Sequence, residues 1–177
     1  MKKFYYVIVL LILFQSEIYS KEFIYILKDK CLNTIYTEAF NYFSNSEIKI
    51  YKDIRGVILS FKLNDLQAEY YSLTTETLKN IKQIENFLAK IENPAIIEVH
   101  TSDNVSNNVN SLKKWEISTV IANKIETQIL NLGGKDISQR IKSVGYGEFL
   151  PTNNTPNNGS KKFDRVDIIV LCNISGE

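Results

Sequence analysis

The sequence predicts an α+β fold in which a mixed β-sheet carries helices on one face, in the order β-α-β-α-β-β. Two long segments repeat apolar residues every three or four positions, which is the period of an amphipathic helix. Short apolar runs rich in β-branched residues lie between and after them, as in buried strands. With 44% apolar residues in 177, the chain can form one packed domain with a short extension.

The charge balance excludes one class of partner. The chain has 21 Lys and Arg residues against 20 Asp and Glu residues, so it has no overall positive field to attract nucleic acid. We therefore expect no nucleic-acid partner, and any anionic ligand must be held by local contacts.

The first residues have the layout of a secretory signal peptide. A basic start, Met1-Lys2-Lys3, precedes an apolar run from Phe4 to Phe14 and a polar exit that ends at Ser20. A membrane-spanning helix takes roughly 20 apolar residues, so this run is short for a permanent anchor. We expect a signal peptide over residues 1–20, export, and a mature chain that begins at about Lys21. An uncleaved anchor in the inner membrane is the alternative.

Two cysteines, Cys31 and Cys172, lie near the two ends of the mature chain. In an exported protein they could form a disulfide that ties the ends together. They could equally be two small buried apolar residues. The sequence leaves both possibilities open.

The N-terminal extension, residues 21–53, is predicted to hold a short strand and an amphipathic helix. The strand is Glu22 to Leu27, which is rich in β-branched and aromatic residues. The helix follows from apolar residues at three- and four-residue spacing: Leu32, Ile35, Tyr36, Ala39, Phe40 and Phe43. This face could bind a partner or pack on its own domain.

The first part of the domain reads as strand, helix and strand. Residues Ile48 to Leu63 alternate like a strand around Arg55-Gly56. A helix is predicted from an N-cap at Thr74 to Ile91, and Asn93-Pro94 ends it. Ile96 to Thr101 follows as a central strand, because its run is too apolar to be half-exposed.

The second part reads as helix, strand and strand. Trp115 to Leu132 is predicted to be a helix that ends at Gly133-Gly134, and Ile141 to Val144 a strand. We expect Gly145-Tyr146-Gly147 to form a turn and Glu148 to Lys162 a surface loop. Arg165 to Leu171 is apolar enough for a last buried strand.

Four of these segments occur in the order of a known family. They are the strand ending His100-Thr101, the helix start Trp115-Glu116-Ile117-Ser118, Gly145-Tyr146-Gly147-Glu148, and Asp164-Arg165-Val166-Asp167-Ile168. The order resembles the OmpA C-terminal-like domain, the peptidoglycan-binding module of outer membrane protein A and of the flagellar stator protein MotB. The likeness covers about Ile54 to Cys172, and we assign residues 54–177 to an OmpA-like domain.

The resemblance implies a ligand site. The family holds the peptide stem of peptidoglycan with the Asp of a Gly-His-Thr-Asp motif and the Arg of a Leu-Ser-x-x-Arg-Ala helix. A carboxylate and a guanidinium can grip the ammonium and carboxylate of a diaminopimelate-type side chain with charge-assisted hydrogen bonds. The matching positions here are Thr101, Ser102 and Ile121. Ser102 stands where the family has Asp, with Asp103 one residue later, and Ile121 stands where the family has Arg.

Arg165 matches the second Arg of the family's Asn-Arg-Arg-Val-Glu-Ile segment. It is therefore a candidate cation for a ligand carboxylate. The alternative is an ion pair with Asp164, Asp167 or Asp103 that only orders the chain.

Other candidate side chains point to no chemistry. His100 is the only histidine, and neither cysteine stands at ligand spacing, so we expect no metal, no cofactor and no enzyme activity. We expect the His100 ring to form a hydrogen bond with loop backbone at the strand end. Trp115 could stack on a sugar ring, but at a helix start it is expected to cover the core.

The resemblance therefore implies an exported, non-catalytic protein of the periplasm or cell envelope, with outer-membrane association as one possibility. Its expected partner is peptidoglycan. One alternative is a module that kept the fold, lost the ligand and binds another envelope protein. The other is a wall linker anchored in the inner membrane.

Overall fold

The computed structural model describes residues 24–63, 72–101, 111–147 and 164–172, and these form three helices and five strands. In chain order they are α1 (24–42), β1 (Lys49–Lys52), β2 (Gly56–Lys62), α2 (Thr75–Leu88), β3 (Ala95–His100), α3 (Ser111–Ser138), β4 (Ile141–Gly147) and β5 (Arg165–Leu171). The predicted α+β class is confirmed.

The five strands form one mixed sheet in the order β1-β2-β5-β3-β4. β3 pairs parallel with β4, and the other neighbours pair antiparallel. β3 therefore has a partner on each side, as predicted for the strand at Ile96 to Thr101. Because β3 and β4 are parallel, their carboxyl ends finish at the same edge of the sheet.

The register separates the sheet into an apolar face and a polar face. Leu59, Ile168 and Ile97 lie level on neighbouring strands, and none of them has exposed surface. The next level, Ser60 and Asp167 with Glu98, points to the opposite face, since successive side chains alternate. The helices cover the apolar face, and the polar face is called here the open face.

α1 belongs to the same core as the sheet. Ile35, Ala39 and Phe43 are buried, and the Phe43 ring lies 5.3 Å from that of Phe87, at the end of α2. A disulfide joins Cys31 of α1 to Cys172, just after β5. The predicted amphipathic helix thus packs on its own domain.

The strand predicted at Glu22 to Leu27 is wrong for residues 24–27, which are helical. Residues 22 and 23 lie outside the described part of the chain. The same aromatic and β-branched residues can continue the helix that follows, and tertiary context decides between the two states.

Helix α2 begins where its cap predicts. The Thr74 hydroxyl accepts a hydrogen bond from the Thr77 backbone N–H at 3.2 Å. Ile81, Ile84 and Leu88 are fully buried. Leu78, three residues before Ile81, is 41% exposed, so it lies at the margin of the buried face.

Helix α3 runs four residues earlier and several residues later than predicted. It passes through Gly133 because the next turn buries Ile137, whose Cδ1 lies 2.3 Å from where a Cβ on Gly133 would stand. The glycine thus makes room for a side chain of its own helix rather than ending it. The predicted stop at Gly133-Gly134 is wrong.

Two strand predictions also need correction. The interrupted strand Ile48 to Leu63 is a hairpin, in which Lys52 of β1 pairs with Val57 of β2. The predicted turn Gly145-Tyr146-Gly147 is the end of β4. The predicted signal peptide and the loop Glu148 to Lys162 lie outside the described residues.

No helix in the described part of the chain is long and apolar enough to cross a membrane.

Candidate functional site

Three elements meet at the carboxyl edge of β3 and β4, and hydrogen bonds join them. The Thr101 N–H donates to the Gly147 carbonyl at 3.0 Å, and the Gly147 N–H donates to the Ser118 hydroxyl of α3 at 2.9 Å. The Ser118 hydroxyl in turn donates to the Trp115 carbonyl at 2.8 Å. This group of Thr101, Gly147, Ser118 and Trp115 is called here the corner.

The glycines of β4 make the corner possible. A Cβ on Gly145 would stand 2.2 Å from the Thr119 nitrogen and 2.5 Å from the Ser118 hydroxyl oxygen. Gly147 has a φ of 53°, in the left-handed region that favours glycine. The register shifts between Val99 and His100, so that Tyr146 is an extra residue in β4. The glycines of this segment therefore allow α3 to pack closely against β4.

The structure places the predicted ligand residues differently. Thr101 is at the corner and 2% exposed. Arg165 begins β5, opposite His100 of β3, at the same edge of the sheet. Ser102 and Asp103 lie outside the described residues.

Ile121 lies in the hydrophobic core, with no exposed surface. The side chain therefore packs as a core residue. An arginine at this position would bury its guanidinium among isoleucines. Any cation that serves the corner must come from another position.

Arg165 makes the ion pair that was the alternative to a ligand contact. Its Nε lies 2.8 Å from Oδ2 of Asp167, two residues along β5. The side chain of Arg165 is 15% exposed and that of Asp167 5%. The guanidinium is thus held at the sheet edge by a buried carboxylate.

Asp167 belongs to a row of polar side chains across the open face that sequence reasoning missed. Its Oδ1 accepts a 2.6 Å hydrogen bond from Ser60. Glu98, level with it on β3, accepts from Arg55 Nη1 at 2.7 Å. The alternation of Glu98 with His100 and of Arg165 with Asp167 was the available signal, because residues two apart on a strand share a face.

His100 lies between these two carboxylates. Its Nε2 is 3.5 Å from Asp167 Oδ2 and 3.8 Å from Glu98 Oε2. Neither ring nitrogen has a hydrogen-bond partner among the described residues, and the ring stacks on Tyr146 with centroids 5.4 Å apart. The predicted bond from His100 to loop backbone is not seen among the described residues, and the ring lies on the open face with Glu98 and Asp167.

The charges of the open face shift one another's ionisation. Burial raises the pKa of Glu98, but the nearby His100 and Arg55 outweigh it and leave that pKa below its usual value. Burial also raises the pKa of Asp53, and the backbone N–H and guanidinium of Arg55 more than offset this effect. The pKa of Arg55 is raised, since both carboxylates favour its charged form over the opposing effect of burial.

Trp115 does not cover the core as expected, because it is 49% exposed. It lies one turn before Ser118 on the same side of α3, and helical side chains tilt towards the helix start. Because its carbonyl accepts the Ser118 hydrogen bond, Trp115 lies beside the corner with its side chain about half exposed.

The comparisons with known proteins establish the fold. No protein-family model matches the sequence, and no curated protein matches it. Several solved structures do. A putative MotB-like protein from Desulfovibrio vulgaris has a TM-score of 0.60 at 17% identity, over 81% of this chain and 96% of that one. The cell wall anchor of the T6SS from Pseudomonas aeruginosa has a TM-score of 0.58 at 15% identity, over 75% and 95%.

An outer membrane protein from Borrelia burgdorferi B31 has a TM-score of 0.52 at 24% identity, over 70% of this chain and 96% of that one. At such identities the likeness establishes the fold alone. The chain has the α+β fold of OmpA-like and MotB-like domains, as its motifs predicted.

Proposed function

We propose that this chain is a non-catalytic protein of the cell envelope whose OmpA-like domain associates non-covalently with peptidoglycan. The ligand site is the corner, together with the residues that follow Thr101 and the guanidinium of Arg165. The stem peptide is the part of the wall that it holds.

The observation that carries the proposal is the hydrogen-bonded corner itself. The motifs that the family uses for its ligand lie apart in sequence, yet Thr101, Gly147 and Ser118 are joined by direct hydrogen bonds of 3.0 and 2.9 Å. The fold comparisons add support, since one structure of the same fold is described as a cell wall anchor.

Arg165 and Asp103 are the proposed ligand contacts. Arg165 would take the stem carboxylate, because it begins β5 at the edge of the sheet where β3 ends and a guanidinium can bind a carboxylate through two parallel hydrogen bonds. Asp103, two residues after Thr101, would take the stem ammonium in place of the family's Asp. Ile121 would make no contact, so this site would work with one helix cation fewer than the family's.

Export to the envelope is consistent with the disulfide between Cys31 and Cys172, because disulfides persist in oxidising compartments. We propose that residues 1–20 are a signal peptide and that the mature protein lies in the periplasm. Mass spectrometry of protein from the envelope fraction tests this: peptides from residues 4–14 in the mature protein would contradict cleavage.

Co-sedimentation with purified sacculi tests the ligand contacts. Asp103→Ala and Arg165→Gln should each weaken binding about 10- to 100-fold, because a charge-assisted hydrogen bond contributes about 1.5–3 kcal/mol. Lys142→Gln is the matched control, since Lys142 is an exposed cation near the other end of β4. Variants that bind like the wild type would mean that the contact is made elsewhere.

A second candidate function is binding of another envelope protein. A groove of about 570 Å³ between α2 and α3 is lined by Leu73, Leu78, Val120 and polar residues of α3. Leu78 and Val120 are 41% and 40% exposed. If wild-type protein does not sediment with sacculi, Leu78→Asp should abolish capture of a partner through this groove, while Lys142→Gln should not.

A further inference from the structure

Trp115 is the large apolar residue of the corner, beside the proposed stem site. Three hydrogen bonds, of 3.0, 2.9 and 2.8 Å, lead from the Thr101 N–H through Gly147 and Ser118 to the Trp115 carbonyl. The ring is 49% exposed. An indole left half in water beside a ligand site is a candidate contact.

The sequence neighbours of Trp115 favour a sugar over an extended apolar protein surface. Glu116 beside it is exposed and charged. The indole offers one flat apolar face. A pyranose has the complementary form, because its C–H face is apolar and its hydroxyls lie around the edge.

We propose that Trp115 stacks on a sugar ring of the glycan strand while the corner holds the stem peptide. This inference rests on the proposed function and adds a second ligand class, the glycan, to the same site. A stem is covalently joined to the strand, and a diamino acid about three residues along it lies within about 10 Å of the sugar. The hydrogen bonds that join Thr101 to Trp115 place the two proposed contacts at the same corner.

Intrinsic fluorescence gives a direct test, because Trp115 is the only tryptophan in the chain. The two probes are a soluble disaccharide-peptide fragment of the wall and the same stem peptide without sugar. We expect the disaccharide-peptide to shift the emission to shorter wavelength and to saturate. The free stem peptide should bind more weakly and leave the emission unchanged.

Three variants separate stacking from folding. Trp115→Ala should bind the disaccharide-peptide about tenfold more weakly, as expected for about 1.4 kcal/mol of ring contact, and should bind the free stem like the wild type. Trp115→Phe should retain most of the affinity. Leu132→Ala is the control, because Leu132 is an apolar residue of the same helix with 45% exposure and lies far from the corner.

The outcomes distinguish this inference from its premise. If wild-type protein binds sacculi and Trp115→Ala binds the disaccharide-peptide equally well, the sugar contact is overturned and the stem site stands. If Trp115→Ala loses the same factor for both probes, the ring acts on the stem or on the corner, which also overturns it. If folded wild-type protein binds neither sacculi nor fragments, both proposals fail.

Discussion

The guanidinium of Arg55 lies 2.7 Å from the carboxylate of Glu98, across 43 positions of sequence. The Glu98 side chain is 4% exposed, whereas that of Arg55 is 42% exposed. Asp53 holds the same guanidinium from the other side, with 2.9 Å between Arg55 Nε and Asp53 Oδ1. Arg55 thereby joins the loop of the β1–β2 hairpin to β3 on the open face of the sheet.

Removing Arg55 should destabilise the fold because it leaves Glu98 buried without its partner. We expect Arg55→Gln to lower the free energy of unfolding by about 1–3 kcal/mol. Adding Glu98→Gln should recover part of this loss, since the uncompensated charge is then gone. Urea unfolding of the two single variants and the double variant measures the coupling, and additive losses would mean that the pair contributes nothing.

Stability should fall in acid through Glu98 and Asp53. Their pKa values are lowered in the folded protein, so their contribution is present above the unfolded values of about 4 and is lost as the pH falls through the folded values. Unfolding free energy measured from pH 7 to 3 should decline, and Glu98→Gln should flatten the decline. Glu38→Gln, at an exposed position of α1, should leave it unchanged.

The disulfide should contribute strongly to stability, because it closes 141 residues of chain. We expect Cys31→Ala with Cys172→Ala to lower the unfolding free energy by about 2–5 kcal/mol. Reduction of the wild type should reproduce the effect, and the double variant should no longer respond to reductant. Thermal melts with and without dithiothreitol measure both. Equal melting temperatures for all forms would show that the bond does not constrain the unfolded chain.

Gly145→Ala should separate α3 from β4. The added methyl group would stand 2.2 Å from backbone of α3, so the helix must move and the Ser118–Gly147 hydrogen bond must lengthen. We expect a loss of about 1–3 kcal/mol. Ser118→Ala is the matched comparison, because it removes the hydrogen bonds of the Ser118 hydroxyl to Gly147 and Trp115 without adding a group that pushes α3 away. If Gly145→Ala were as stable as the wild type, the close approach would not matter.

The sequence predicted the parts of the fold that depend on apolar spacing. The strands containing Ile97 and Ile168 and the helices around Ile84 and Ile125 are where the spacing put them, because burial of these residues is decided by local periodicity. The errors came where a residue has two uses. Gly133 could end a helix or make room within it, and only the packing of Ile137 decides.

The candidate site was predictable in part for the same reason. Arg165 was found through its motif. The sequence offered three possible ion-pair partners for it, and only the structure identifies Asp167 as one that it contacts. His100 lies between Glu98 and Asp167 because of the register in which β3 pairs with β5. This register cannot be predicted from the local sequence of either strand. The exposure of Trp115 depends on where α3 begins relative to the end of β4, which is again a tertiary fact.

The most direct measurement is a binding isotherm of the folded wild-type protein with intact sacculi and with the same glycan after amidase has removed the stem peptides. We expect saturable binding to intact sacculi and binding at least about tenfold weaker to the stem-free glycan, because the charged contacts of the stem are then lost. Folded protein that remains in the supernatant with intact sacculi, or binds both materials equally, would contradict recognition of peptidoglycan through its stem.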